Sequence, residues 1–267
     1  MSGNRTSILT RFVADKSLGL LVIAVLFYLY MPIVVLMIFS FNDSSQLTLP
    51  LQGFTLEWYQ RLAQNRDLLA ALWNSFYVAL VATGLTLIIG VPAALALDRM
   101  EFPGKTMFRR LVLLPLVLPG IITGISLLSL FKILGIGLSL EAVIIGHATA
   151  LLSVVVTQVF ARLQRLNRNL EDAAADLGAK PMTTLLLVVL PNIRSAIIGS
   201  ALLAFTLSFD EIPVTFFLTG RENTLPMYIW STLRRGITPE INAVASMIML
   251  GSFVLAMISV WLLREER

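Results

Sequence analysis

Residues 170–191 read Leu170-Glu171-Asp172-Ala173-Ala174-Ala175-Asp176-Leu177-Gly178-Ala179-Lys180-Pro181-Met182-Thr183-Thr184-Leu185-Leu186-Leu187-Val188-Val189-Leu190-Pro191. The stretch predicts a short helix over 170–177, a break at Gly178, and a second short helix starting near Pro181. Glycine takes the left-handed conformation that ends a helix, and proline suits the first turn of the next. The first helix carries Glu171, Asp172 and Asp176 beside a run of alanines. An alanine face is nearly flat, so another protein can approach it closely. Two such helices lying outside a membrane make a docking knob.

Apolar runs flank this elbow on both sides. Six spans are expected, over 18–41, 69–98, 110–134, 141–163, 193–218 and 240–263. Each is long enough, at about 20 residues or more, to cross a hydrocarbon core as helix. The chain of 267 residues is 57% apolar and only 13% charged, whereas a soluble domain carries about 25% charge. The fold class is therefore all-α: one transmembrane domain over 1–267, with 164–192 as a long loop within it. Arg5, Arg11 and Lys16 before the first run resemble the start of a signal peptide. The run from Leu18 to Phe41 is too long for one, and no small-residue cleavage site follows it.

Basic residues set the orientation. With both termini in the cytoplasm, the inner segments hold Arg5, Arg11 and Lys16, the cluster from Arg99 to Arg110, the cluster from Arg162 to Arg194, and Arg264 and Arg267. The spans and outer segments keep Arg61, Arg66, Lys132, Arg221, Arg234 and Arg235, the smaller share. The net charge of +4 is thus a topology signal, and no nucleic-acid partner is expected; the partner of the apolar faces is membrane lipid.

The outer segment 42–68 predicts a short amphipathic helix with Trp58 and Tyr59 at the membrane interface. The stretch 219–239 reads as a partly ordered loop, and Thr238-Pro239-Glu240 as a capped start to the last helix. Pro32, Pro92, Pro115, Pro119 and Pro213 fall inside or near the ends of spans and are candidate kinks. Gly120 and Gly124 form a small-xxx-small pair suited to close helix packing.

The segment 170–191 resembles the coupling loop of ATP-binding-cassette importer permeases. That signature is Glu-Ala-Ala, three residues, Gly, nine residues, then Ile-x-Leu-Pro. It is met by Asp172-Ala173-Ala174, Gly178 and Val188-Val189-Leu190-Pro191 with the spacing intact; Asp172 replaces the usual Glu and Val188 the usual Ile. The resemblance implies that Glu171, Asp172, Ala173, Ala174, Asp176, Gly178, Leu190 and Pro191 couple the chain to an ATPase. Leu56-Glu57-Trp58-Tyr59, Trp73-Asn74-Ser75-Phe76, Phe102-Pro103-Gly104-Lys105 and Leu113-Leu114-Pro115 resemble further family blocks. Ser208-Phe209-Asp210-Glu211 and the stretch from Arg234 to Ala243 resemble the spermidine/putrescine branch, in the second of its two permeases. The partners implied are an ATPase dimer, a homologous second permease and an extracytoplasmic solute-binding protein, in a bacterial inner membrane. ATP and magnesium would be bound by the ATPase, and no cofactor by this chain.

Asp210 and Glu211 lie in the outer half of the fifth span, where ionisable groups are costly and invite a functional reading. Either could meet an amine cation, though adjacent helical residues diverge by about 100°, which disfavours both doing so. The alternative is pairing with Arg221, Arg234 or Arg235. Tyr228 and Trp230 could stack on a cation or anchor at the interface. His147, the only histidine, reads as a packing residue bonded to a neighbouring helix rather than a proton relay. Lys132 is expected to snorkel, and Asp98 to pair with Arg99. The sequence has no Gly-x-x-x-x-Gly-Lys phosphate loop, no His-Glu-x-x-His and no cysteine, so neither ATP hydrolysis nor metal or nucleophilic catalysis is expected. An ion-coupled carrier, or the same machinery moving another small organic solute, stands as the alternative.

Overall fold

In a computed structural model, residues 3–44, 49–236 and 239–264 are described. Ile237, Thr238 (the expected cap of the last helix) and Arg267 lie outside them. The described residues are helical, with one isolated antiparallel bridge between Asn42 and Phe54. They divide into two compact units, Met1–Arg66 with Ser231–Arg267, and Asp67–Trp230.

The first unit holds α1 (Gly3–Phe39), α2 (Glu57–Gln64) and α12 (Pro239–Arg264). The span Leu18–Phe39 buries nothing in its most apolar window, as a helix bathed in lipid requires. The amphipathic α2 forms as expected, but Trp58 does not face an interface. It is buried, and its indole N–H donates to the carbonyl of Asn42 at 2.9 Å. A buried indole needs such a partner, and the bridged segment 42–54 supplies it. The Tyr59 hydroxyl lies 2.6 Å from Ser40 Oγ, and Arg61 reaches Glu240 of α12 at 3.9 Å.

The second unit starts with α3 (Arg66–Arg99), a single helix of 34 residues that passes through Pro92 without breaking. The third expected span is not one helix. It consists of α4 (Lys105–Val117) and α5 (Gly120–Leu134), bent by 114°. Pro119 has no N–H to give, and it drives Leu118 to extended backbone (ψ 133°), so the helix must stop before it. Then come α6 (Leu140–Leu163), capped by Ser139, and α7 (Asn169–Asp176).

The second half of the elbow is not a short helix either. α8 (Pro181–Thr184) runs through a π turn over Leu185–Val189 into α9 (Leu190–Phe209), giving one continuous helix from Pro181 to Phe209. Pro191 would ordinarily clash with the carbonyl four residues back. The wider π turn, closed by Leu190 N–H to Leu185 O, brings the chain past that point without a break. The fifth expected span is instead broken further on, where α9 ends at Phe209 and α10 (Pro213–Leu218) begins after three residues.

α11 (Leu225–Arg235) stands where a loop was expected. Its start is pinned to α3: Ser75 Oγ accepts from Leu225 N–H at 2.8 Å, and Asn74 donates to the Asn223 carbonyl at 3.0 Å. Among the described residues four helices are long and apolar enough to cross a membrane, or five with the bent pair taken as one span. α12 adds a shorter apolar stretch, Pro239–Val254.

Candidate functional site

The elbow forms as the glycine and proline dictate. α7 ends in a paired closure: Ala179 N–H donates to Ala174 O at 3.0 Å, and Gly178 N–H to Ala175 O at 2.8 Å. This double bond pattern needs a left-handed residue between helix and exit, and Gly178 has φ +83°. Lys180 is then extended, and Pro181 opens the next helix. α7 buries no residue. Asp172, Ala173, Asp176 and Gly178 are exposed, and Leu177 is 90% exposed. Ala174 is half-buried, Leu190 is half-buried and Pro191 exposed along the helix that continues from the elbow.

Glu171 points the other way. Its carboxylate accepts from the Arg99 guanidinium at the end of α3. Arg99 also pairs with Asp98 at 3.1 Å, the local pairing expected of those two. The Asp98 side chain is fully buried and receives Gln164 Nε2 from the end of α6, with Arg168 at 3.8 Å. Asp98, Gln164 and Arg168 therefore belong to the site, although only the Asp98–Arg99 pair was legible. The clue in the sequence was an acid at the very end of an apolar span, where burial makes partners obligatory.

A second polar knot lies where α9 breaks. His147 of α6 is 1% exposed. Its Nδ1 is 2.7 Å from Ser208 Oγ, and its Nε2 is 2.8 Å from Thr215 Oγ1 and 3.4 Å from Glu211 Oε2. The packing histidine expected from sequence is thus bonded to two neighbouring helices. Glu211 accepts from the N–H groups of Val214 (2.9 Å) and Thr215 (3.0 Å). It is the cap of α10, a favourable place for a carboxylate. Asp210 is different: it is exposed, at the C-cap of α9. The helix dipole leaves that end negative, so a carboxylate there raises the local negative potential instead of relieving it. The two acids diverge, as adjacent residues should, and Glu211 meets His147 rather than an arginine.

Glycines let α10 nest into this knot. A Cβ at Gly124 would come within 2.7 Å of Phe217 and 3.1 Å of the Pro213 carbonyl, and one at Gly120 within 3.1 Å of Pro213. The pair expected to pack helices therefore packs α5 against α10. Gly146 of α6 meets Val214 from another side. Tyr228 is half-buried and Trp230 45% exposed on α11; Lys132 is exposed near the end of α5. Among the described residues no group of His, Asp and Glu could hold a metal ion.

The profile of the family described as "binding-protein-dependent transport system inner membrane component" matches residues 86–264. The chain is 36% identical over 244 residues to the spermidine/putrescine transport system permease protein PotC of Escherichia coli, covering 91% of this chain and 92% of that one. It is 37% identical over 230 residues to the putrescine transport system permease protein PotI of the same species, covering 83% and 82%. Among solved structures, a bacterial ABC transporter that imports the acidic polysaccharide alginate superposes with a TM-score of 0.69 at 16% identity, covering 98% of both chains. The alginate transporter in complex with its pentasaccharide-bound periplasmic protein gives 0.71 at 17%, covering 95% and 94%. At such identities these structures speak to the fold. The chain belongs to the binding-protein-dependent transport system inner membrane components, and it is a multi-pass permease of the inner membrane.

Proposed function

We propose that the chain forms one half of the path of an ATP-driven importer for polyamine-class cations, paired with a homologous second permease. A separate ATPase dimer, holding ATP and magnesium, docks on α7 at the cytoplasmic side, and both termini share that side. An extracytoplasmic binding protein delivers the solute. This chain holds no ATPase site of its own. The observation that carries the docking role is the α7 surface: acidic, flat at its alanines, with Leu177 bare at the tip.

The solute class is supported by the names of the relatives and by the break between α9 and α10. Asp210, exposed at the end of α9, and the last carbonyls of that helix together present negative charge, a recurring way for transporters to meet cations. Glu211 holds the break open as cap of α10, and Tyr228 and Trp230 supply aromatic faces on α11. The test is uptake of labelled spermidine and putrescine by the reconstituted complex. Competition by excess polyamine and loss of uptake in Asp210→Asn support the reading; uptake indifferent to polyamine refutes the solute class.

A further inference from the structure

α7 has few ways to push on the bundle. It buries no residue, and an open cleft of about 310 Å³ lies beside it, lined by Leu95 and Arg99 of α3, Glu171 and Ala175 of α7, and Pro181 and Leu185 of the next helix. Beside a cleft, packing carries less force, because atoms are missing on that side; the packing that α7 does make is against the start of the next helix. Two further links join α7 to the bundle. One is covalent, through Gly178 and Pro181 into the helix Pro181–Phe209. The other is ionic, from Glu171 to Arg99.

The ionic link leads elsewhere in the unit. Arg99 and Asp98 end α3, and Asp98 also receives Gln164 from α6. α3 is one unbroken helix, and near its far end Asn74 holds Asn223 just before α11 and Ser75 holds Leu225 at its first residue. Both partners of the Glu171–Arg99 pair are about three-quarters buried, 23% and 22% exposed, so solvent screens them less than a surface pair. We infer that the Arg99–Glu171 pair is a positioning clasp: it makes α7 and α3 move as one body, so that a stroke received at α7 reaches the segment before α11 along α3. This deepens the docking role proposed above and rests on it.

The native chain has no cysteine, so two introduced thiols would be the only ones in it, and the partner subunits are used in cysteine-free form. The pair Arg99→Cys with Glu171→Cys is placed in the chain and reconstituted with the ATPase, second permease and binding protein. A short cleavable bis-methanethiosulfonate then links the two thiols, since an ion pair between long side chains spaces the backbones beyond disulfide reach. ATPase co-purification, ATP hydrolysis and solute uptake are read together. Unlinked, uptake per ATP hydrolysed falls about tenfold, within the usual range of coupling between sites, and any loss of bound ATPase is read separately by co-purification. Linking restores most of that uptake, and dithiothreitol removes it again. Unchanged uptake in the unlinked variant, or linked chains that hydrolyse ATP without uptake, overturns the clasp. Should the double variant fail to insert, Glu171→Gln keeps the side-chain shape without the charge. It is expected to lower uptake per ATP about threefold, and an undiminished ratio overturns the clasp equally. Failure of the native chain to bind any ATPase is the separate result that removes the docking role.

Discussion

The two polar knots of the second unit are built from different chemistry. At the elbow the groups are ions: Asp98, Arg99, Glu171 and Arg168, close to helix ends, with Arg99 and Glu171 still touched by solvent. At the break between α9 and α10 they are an imidazole, two hydroxyls and one capping carboxylate, closed around the fully buried side chain of His147. Ion pairs keep pulling on their partners while a helix moves, because Coulomb attraction falls slowly with distance. Hydrogen bonds between packed helices do not, since geometry fails within a few tenths of an ångström. The contrast suits a molecule that receives motion at one knot and preserves a fixed break at the other.

The contrast can be broken most severely at Gly178. Gly178→Pro demands φ near −65° where the chain has +83°, and it removes the N–H that closes α7 on Ala175. Membrane insertion is expected to survive and solute uptake to vanish, as measured in proteoliposomes. At the other knot, His147→Ala strips partners from Ser208, Thr215 and Glu211 at once. With interhelical bonds in membranes worth about 0.6 kcal/mol each and at most about 1.7, the loss should be about 1–3 kcal/mol in thermal unfolding in detergent. Gly124→Ala should cost a similar 1–3 kcal/mol by overpacking α10, because the backbone at Pro213 cannot yield. Asp210→Asn and Glu211→Gln then separate the acids. The first should lower polyamine uptake with no change in stability. The second should lower stability by about 1 kcal/mol, the size of a lost cap, before it affects uptake. Equal effects of both on uptake would erase the distinction between a path acid and a capping acid.

What the sequence revealed follows the range of each signal. Span positions came from apolar length, and the elbow from Gly178 and Pro181, because both are local. The bend at Leu118-Pro119 was not resolved, since mean hydropathy measures how apolar a stretch is and carries no direction. Pro119 stands between α4 and α5 and Pro213 opens α10, whereas Pro32, Pro92 and Pro115 sit within helices; the proline alone does not decide which. Pro191 stands inside a continuous helix, because a π turn ahead of it absorbs the conflict. Glu211 two residues before Pro213 is a legible helix start that hydropathy concealed. The bonding of His147 was right in kind, but Ser208 and Thr215 are 61 and 68 residues away, and no local pattern names them. Trp58 turned inward for the same reason, since its partner Asn42 is brought to it by the bridge at Phe54.

Co-purification of an ATPase with the chain, native against a deletion of residues 172–178, bears most directly on the elbow as the seat of coupling. The native permease complex should retain its ATPase in stoichiometric amount and take up solute on ATP addition; the deleted chain should insert beside its partner permease yet lose both. An ATPase retained by the deleted chain, with solute uptake intact, would contradict the account.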